Sequence, residues 1–241
     1  MISEKFFIKN YGSFWKSIFP LANIFIKSVL LECPNKGNEL SLTTIGRRLS
    51  FVSHIGYLLF SQVALKNITR TKIDSLTIVN SWYQSLEKIG QNQFEKYADD
   101  EQDINDRLNT KELDDAKEIF ERLYNQFCNN MQQEIHISPK FNGCGIIDDC
   151  YGDLLIGDIL YEIKTVNRNF NIQDFRQLIT YSSLNYASKQ YSIKKIGLYN
   201  PRYDTHYMIE LETFAATISG NNFSNICWEI INYISTEQLS K

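Results

Sequence analysis

"GDLLIGDILYEIKTV", residues 152–166, has the alternating Leu, Ile, Tyr and Val of a strand pair, yet it carries Asp153, Glu162 and Lys164. Gly157-Asp158 lies between the two runs and suits a two-residue hairpin loop, with glycine taking the positive φ of a type II′ turn. Counting outward, Ile156 meets Ile159, Leu155 meets Leu160, Leu154 meets Tyr161, and Asp153 meets Glu162. Directly opposed residues share a face, their Cβ atoms roughly 4.5–5.5 Å apart. Lys164 lies two residues beyond Glu162 and falls on that same face. Leu154, Ile156, Ile159, Tyr161 and Ile163 fall on the other face and are expected to supply the core.

Two opposed carboxylates repel each other and weaken a sheet unless a cation sits between them. A Glu-X-Lys pair on a strand reads by itself as a solvated face or a local ion pair. The opposed acid inside an apolar run shifts the reading toward a site. Two carboxylates with a lysine suit a hard divalent cation such as Mg²⁺, which takes few protein ligands, keeps several waters and leaves room for a phosphate. Such a cation polarises a phosphoryl oxygen and lowers the pKa of a bound water, while the lysine positions that water or offsets developing charge. Phosphodiester hydrolysis is the chemistry this set suits.

The rest of the 241-residue chain divides by texture. Residues 42–68 and 71–97 read as helices by their apolar period, and the acidic stretch 98–115 reads as a linker. "ELDDAKEIFERLYNQFCNNM" (112–131) is amphipathic, with Ala116, Phe120, Leu123 and Phe127 on one face. From residue 134 short β-rich runs follow, then a helix over 172–190, strands at 194–200 and 205–211 around the turn 200–204, and two closing helices. The expected fold class is α/β: a helical docking or specificity region over 1–110, then a domain over 111–241 ordered helix, three-strand meander, helix, two strands, helices.

These residues resemble the PD-(D/E)XK nuclease superfamily, the restriction-endonuclease-like fold. Its motif is an acid at the start of the second core strand, here Asp153, then Glu-X-Lys on the third, here Glu162-Ile163-Lys164. "QLITY", Gln177 to Tyr181, resembles the Gln-X-X-X-Tyr motif of the RecB-like branch, in which Gln lies near the attacking water or substrate phosphate and Tyr supports it. The resemblance covers residues 111–211. It implies that Asp153, Glu162 and the Ile163 carbonyl hold Mg²⁺ (Mn²⁺ substituting), that Lys164 orients the water, and that Gln177 and Tyr181 support substrate and solvent. Gly152 stands where the family often has Pro. Cas4-like members of the branch hold an iron–sulfur cluster through several downstream cysteines; only Cys227 follows the motif here, so no cluster is expected.

Other candidates weigh less. Glu118 and Glu121 could supply the acid that the family often adds from its first core helix, but both fall off the apolar stripe and read as solvated. Asp148 and Asp149 could replace Asp153 in a shifted register; acidic turn residues is the preferred reading. His54, His136 and His206 form no spaced cluster, and Cys144 and Cys150 read as small buried hydrophobes. Arg168 and Arg176 flank the start of the helix bearing Gln177. They could meet a phosphate backbone at a helix N-terminus, or pair with acids such as Asp174, and the sequence leaves both open.

The net charge of −3, and nine Lys/Arg against twelve Asp/Glu from residue 131 onward, exclude a protein that coats nucleic acid by bulk attraction. The stretch Ser17–Leu31 contains Pro20, Asn23 and Lys27 and is too short and polar to span a membrane. With five scattered cysteines, this predicts a cytoplasmic protein without membrane contact. The leading expectation is a Mg²⁺-dependent deoxyribonuclease of a bacterial defence, restriction or repair system, acting on DNA with a protein partner such as a helicase or ATPase. The alternative is a non-catalytic nucleic-acid-binding or interaction subunit that retains the nuclease fold.

Overall fold

The hairpin forms in the expected register, and the sheet grows outward from it. The computed structural model describes residues 1–34, 39–44, 47–66, 108–128 and 133–239; the helical stretch expected over 71–97 and most of the acidic linker lie outside them. Strand β4 (Leu154–Ile156) pairs antiparallel with β5 (Ile159–Ile163), matching Leu154 to Tyr161, Leu155 to Leu160 and Ile156 to Ile159. Gly157 takes φ +57°, as the turn requires. The ladder stops there: instead of a fourth backbone pair, the Asp153 carboxylate accepts the Ile163 N–H.

The first of the β-rich runs expected from residue 134 is broken in two. β1 (Ile135–Ile137) joins β4 in the sheet, whereas β2 (Lys140–Phe141) pairs with β3 (Cys150–Tyr151) in a separate ribbon. Ser138, at φ +50°, makes the break. After β5 the chain crosses through the long helix Ile172–Ser188 and returns as Lys195–Asn200, parallel to β5; Thr205–Glu210 then adds antiparallel. These are β6 and β7, and the five-stranded mixed sheet runs β1-β4-β5-β6-β7.

Three short helices precede the sheet in sequence: α1 (Glu4–Asn10), α2 (Gly12–Ile18) and α3 (Ala22–Glu32). Two more are α4 (Arg47–Ala64) and α5 (Thr110–Phe127); the crossover helix is α6, and α7 (Leu211–Ser219) and α8 (Phe223–Leu239) close the order. Asn171 starts α6 by accepting the N–H groups of Gln173 and Asp174, while Asp174 reaches back to the Asn171 N–H.

The chain folds as two compact units, and they differ from the expected division at residue 110. Met1–Gly37 belongs with Gln133–Lys241, and Asn38–Gln132 forms the other unit. The reason is apolar burial. Phe7, Trp15, Phe25 and Val29 of α1–α3 are sealed in one core with Phe175 and Leu178 of α6 and Phe214 of α7. Helix α5, expected to open the nuclease-like domain, buries Ala116, Ile119, Phe120, Leu123 and Phe127 in the second unit, where it packs against α4. There Asp115 accepts the N–H and hydroxyl groups of Thr43 and Thr44, tying the segment before α4 to α5.

The main core of the first unit corrects one expectation. It lies under Leu155 and Leu160, the face that also carries Glu162, because α6 crosses there with Leu178, Tyr181 and Leu184. Leu154 and Tyr161 on the opposite face are buried as well, but outside that cluster. Among the described residues no single helix is long and apolar enough to cross a membrane. Helices α2 and α3 pass that test only as a pair bent by 77°, and Trp15, Ile18, Phe25 and Val29 of that pair are buried in the core.

Candidate active site

The acids and the lysine meet where β4 begins and β5 ends. Gly152 hands the chain into β4 by donating its N–H to the Pro139 carbonyl, a bond that proline there could not make. Asp153 follows, its Oδ2 2.7 Å from the Ile163 nitrogen. Ile163 is thus seen at the site through its amide, which fixes the Asp153 carboxylate. Glu162, one residue earlier on β5, points under α6 and is only 4% exposed.

Lys164 joins the strand to the helix. Its Nζ donates to Glu162 Oε1 and to Gln177 Oε1, each at 2.7 Å. Gln177 Nε2 in turn donates to the Tyr181 hydroxyl at 2.7 Å, and Tyr181 donates to Glu4 Oε1 at 3.4 Å. All five expected catalytic residues, Asp153, Glu162, Lys164, Gln177 and Tyr181, therefore stand together. Gln177 and Tyr181 are one helical turn apart, so both face the strand.

The electrostatics follow from burial. Desolvation first, and the Asp153 carboxylate second, push the Glu162 carboxyl up to about 8. Burial also raises Asp153, against the pull of Lys164, the Ile163 N–H and Lys5. Burial opposes the charge on Lys164, but Glu162 and Asp153 outweigh it and hold its pKa above the ordinary lysine value. The Tyr181 hydroxyl is raised well above the usual range by burial and then by Glu162 and Glu4. Glu162 Oε2 is buried with no hydrogen-bond partner among the described residues.

The two arginines do not join this set. Arg168 forms a two-pronged bridge to Asp174, 2.7 Å from Nη1 to Oδ2 and 2.8 Å from Nη2 to Oδ1. Arg176 lies over the Trp15 ring, 5.4 Å from its centroid, with Nη1 toward the Ile8 carbonyl. Arg168 takes the second of the two roles open in the sequence, pairing with Asp174 while its own side chain stays 41% exposed, whereas Arg176 is stacked on Trp15, a partner neither role foresaw. A capping acid at the start of α6 and an aromatic ring on α2 compete successfully for their guanidiniums.

The lesser candidates fall elsewhere. Glu118 and Glu121 are on α5, in the unit that does not contain Asp153 and Glu162. Asp149 accepts the Gly143 N–H and pairs with Lys140, holding the 143–149 turn. His136 lies beside Glu134, while His54 and His206 are lowered by burial. Cys150 is a buried thiol, as expected; Cys144 is only half-buried.

Sequence reasoning missed α1. Glu4 and Lys5 reach the site from the chain's first helix, Glu4 through Tyr181 and Lys5 through its charge on both carboxylates. Ser3 capping the helix ahead of Glu4 marks a helix start, but nothing in the sequence ties that start to residue 181.

Comparison with known proteins adds no assignment: no family model matches the chain, and no curated protein matches it. What the site can do is therefore read from its own groups. Among the described residues no set of three or more His, Cys, Asp and Glu side chains is grouped to hold a metal. Asp153 and Glu162 offer two acidic donors, and the partnerless buried Oε2 is a ligand position a cation would complete.

Proposed function

We propose that this protein is a Mg²⁺-dependent nuclease acting on DNA, with its first unit built as a restriction-endonuclease-like domain of the PD-(D/E)XK superfamily. One observation carries the reading. Glu162 is buried with one oxygen on Lys164 and the other without a partner, at the point where Lys164 is bridged through Gln177 to Tyr181. A structural ion pair needs only the first half of that arrangement.

Asp153 and Glu162 would hold Mg²⁺ or Mn²⁺, assisted by the Ile163 carbonyl. A cation bound there would polarise the scissile phosphoryl group and make water a stronger acid. The chain's own groups do the rest. Lys164 has three N–H donors and spends two on Glu162 and Gln177, so the third can orient the attacking water or meet developing negative charge. Gln177 is held in one amide orientation because its Nε2 is committed to Tyr181. The Ile163 N–H fixes the Asp153 carboxylate against rotation. The resemblance implies 5′-phosphate and 3′-hydroxyl products and a role in bacterial restriction, repair or antiphage defence, and the scattered cysteines suit a cytoplasmic setting.

The test is cleavage of supercoiled plasmid and linear duplex with Mg²⁺, Mn²⁺ or chelator, for wild type, Glu162→Gln and Lys164→Ala. Metal-dependent cutting that drops by about 10²-fold or more in both variants is expected. Cutting that survives in Glu162→Gln would sink the assignment.

A second reading, a non-catalytic nucleic-acid-binding or interaction subunit working with a helicase or ATPase, is favoured by the excess of acids over bases in residues 131–241 and by the pairing of Arg168 with Asp174. It predicts a stable complex with such a partner and no metal-dependent cleavage by that complex.

A further inference from the structure

With Arg168 paired to Asp174 and Arg176 stacked on Trp15, α1 is a further source of positive charge for a polyanion at the site. The rotation of this helix is fixed: Phe7 and Ile8 are buried in the core, and Glu4 reaches Tyr181 at the site. Lys5 and Lys9 are then exposed on one flank of α1, a helical turn and about 6 Å of rise apart. Lys5, next in sequence to Glu4, is close enough for its charge to act on both Asp153 and Glu162.

Charge balance points the same way. The segment 1–34 carries Lys5, Lys9, Lys16 and Lys27 against Glu4 and Glu32, whereas residues 131–241 carry more acids than bases. Folding α1–α3 onto the sheet-bearing body adds net positive charge to that unit and brings the charge of Lys5 to the carboxylates, where a strand with one negative charge per nucleotide would otherwise be repelled.

We infer that the exposed flank of α1, Lys5 with Lys9, seats the phosphate backbone of the DNA strand entering the site. The inference rests on the nuclease reading. Phosphate contacts position a strand without reading its sequence, so this surface sets affinity and register, not base preference.

The test is binding of a fluorescein-labelled DNA duplex in chelator, where no cleavage occurs, across a salt series. Wild type is compared with Lys5→Gln/Lys9→Gln and with Lys189→Gln/Lys194→Gln, which removes the same charge at exposed positions beyond the far end of α6. The expected result is binding about tenfold weaker in the α1 variant, with the salt slope shallower by about 2, and little change in the control. Equal binding by all three proteins, or equal loss in both variants, would overturn the inference and leave the catalytic reading standing. No binding by wild type would also overturn it, and the plasmid assay then decides the catalytic reading separately. The same titration with single-stranded DNA and with RNA shows whether the backbone seated is DNA's; tighter α1-dependent binding of RNA overturns the stated substrate.

Discussion

Lys164 Nζ and Glu162 Oε1 stand 2.7 Å apart, while the other oxygen of the same carboxylate is buried without a hydrogen-bond partner among the described residues. A carboxyl satisfied on one side only, in a water-poor place, calls for either a proton or a cation on the other. Which of the two it holds decides how the protein responds to pH.

In the metal-free protein Glu162 keeps its proton up to about 8, against an ordinary value of 4.5 in the unfolded chain. Between those values the native state binds more protons than the unfolded state, so stability falls as pH rises. Melting in chelator should show a loss on the order of a few kcal/mol from pH 5 to pH 8.5. Glu162→Gln should flatten that slope, and millimolar Mg²⁺ should reverse it at the alkaline end. A wild-type profile that is flat, or that rises, would mean the carboxyl is ionised without a cation.

Tyr181→Phe removes the acceptor for Gln177 Nε2 and the donor to Glu4. The fold should lose about 1 kcal/mol, the usual net worth of one hydrogen bond. Cleavage should slow by at least an order of magnitude through kcat, with KM for an oligonucleotide little changed, because Gln177 is then free to turn its amide away from Lys164. An unaltered kcat would remove the tyrosine from the catalytic arrangement.

Arg168→Ala should behave as a stability variant. It leaves Asp174, only 3% exposed, without its two-pronged partner at the start of α6. Urea unfolding should register a loss of roughly 1–3 kcal/mol, and the salt slope of DNA binding should not move. The reverse pattern, intact stability with a shallower slope, would return Arg168 to the phosphate surface.

The hairpin was legible because its signals are local. A glycine able to take positive φ, a two-residue loop and a period of two fix which residues face each other, and Asp153 and Glu162 follow. Gln177 and Tyr181 entered only through the resemblance of QLITY to a family motif, and the helix on which they fall then sets them one turn apart. The choice of sheet face was not, because Leu155 and Leu160 are as apolar as Leu154 and Tyr161, and only the path of α6 decides between them. Arg168 offered the same two partners on paper that any basic residue offers. The placement of α1 was out of reach altogether: the contact between Glu4 and Tyr181 spans 177 positions, and no periodicity carries over such a distance.

That separation also orders events during synthesis. A ribosome adding about 5–20 residues per second makes Tyr181 roughly nine to thirty-five seconds after Glu4. Throughout that interval Phe7, Trp15 and Phe25 await the helices that will bury them. The apolar faces of α1–α3 are thus made well before the helices that bury them, and Glu4 meets Tyr181 only after α6 has been synthesised.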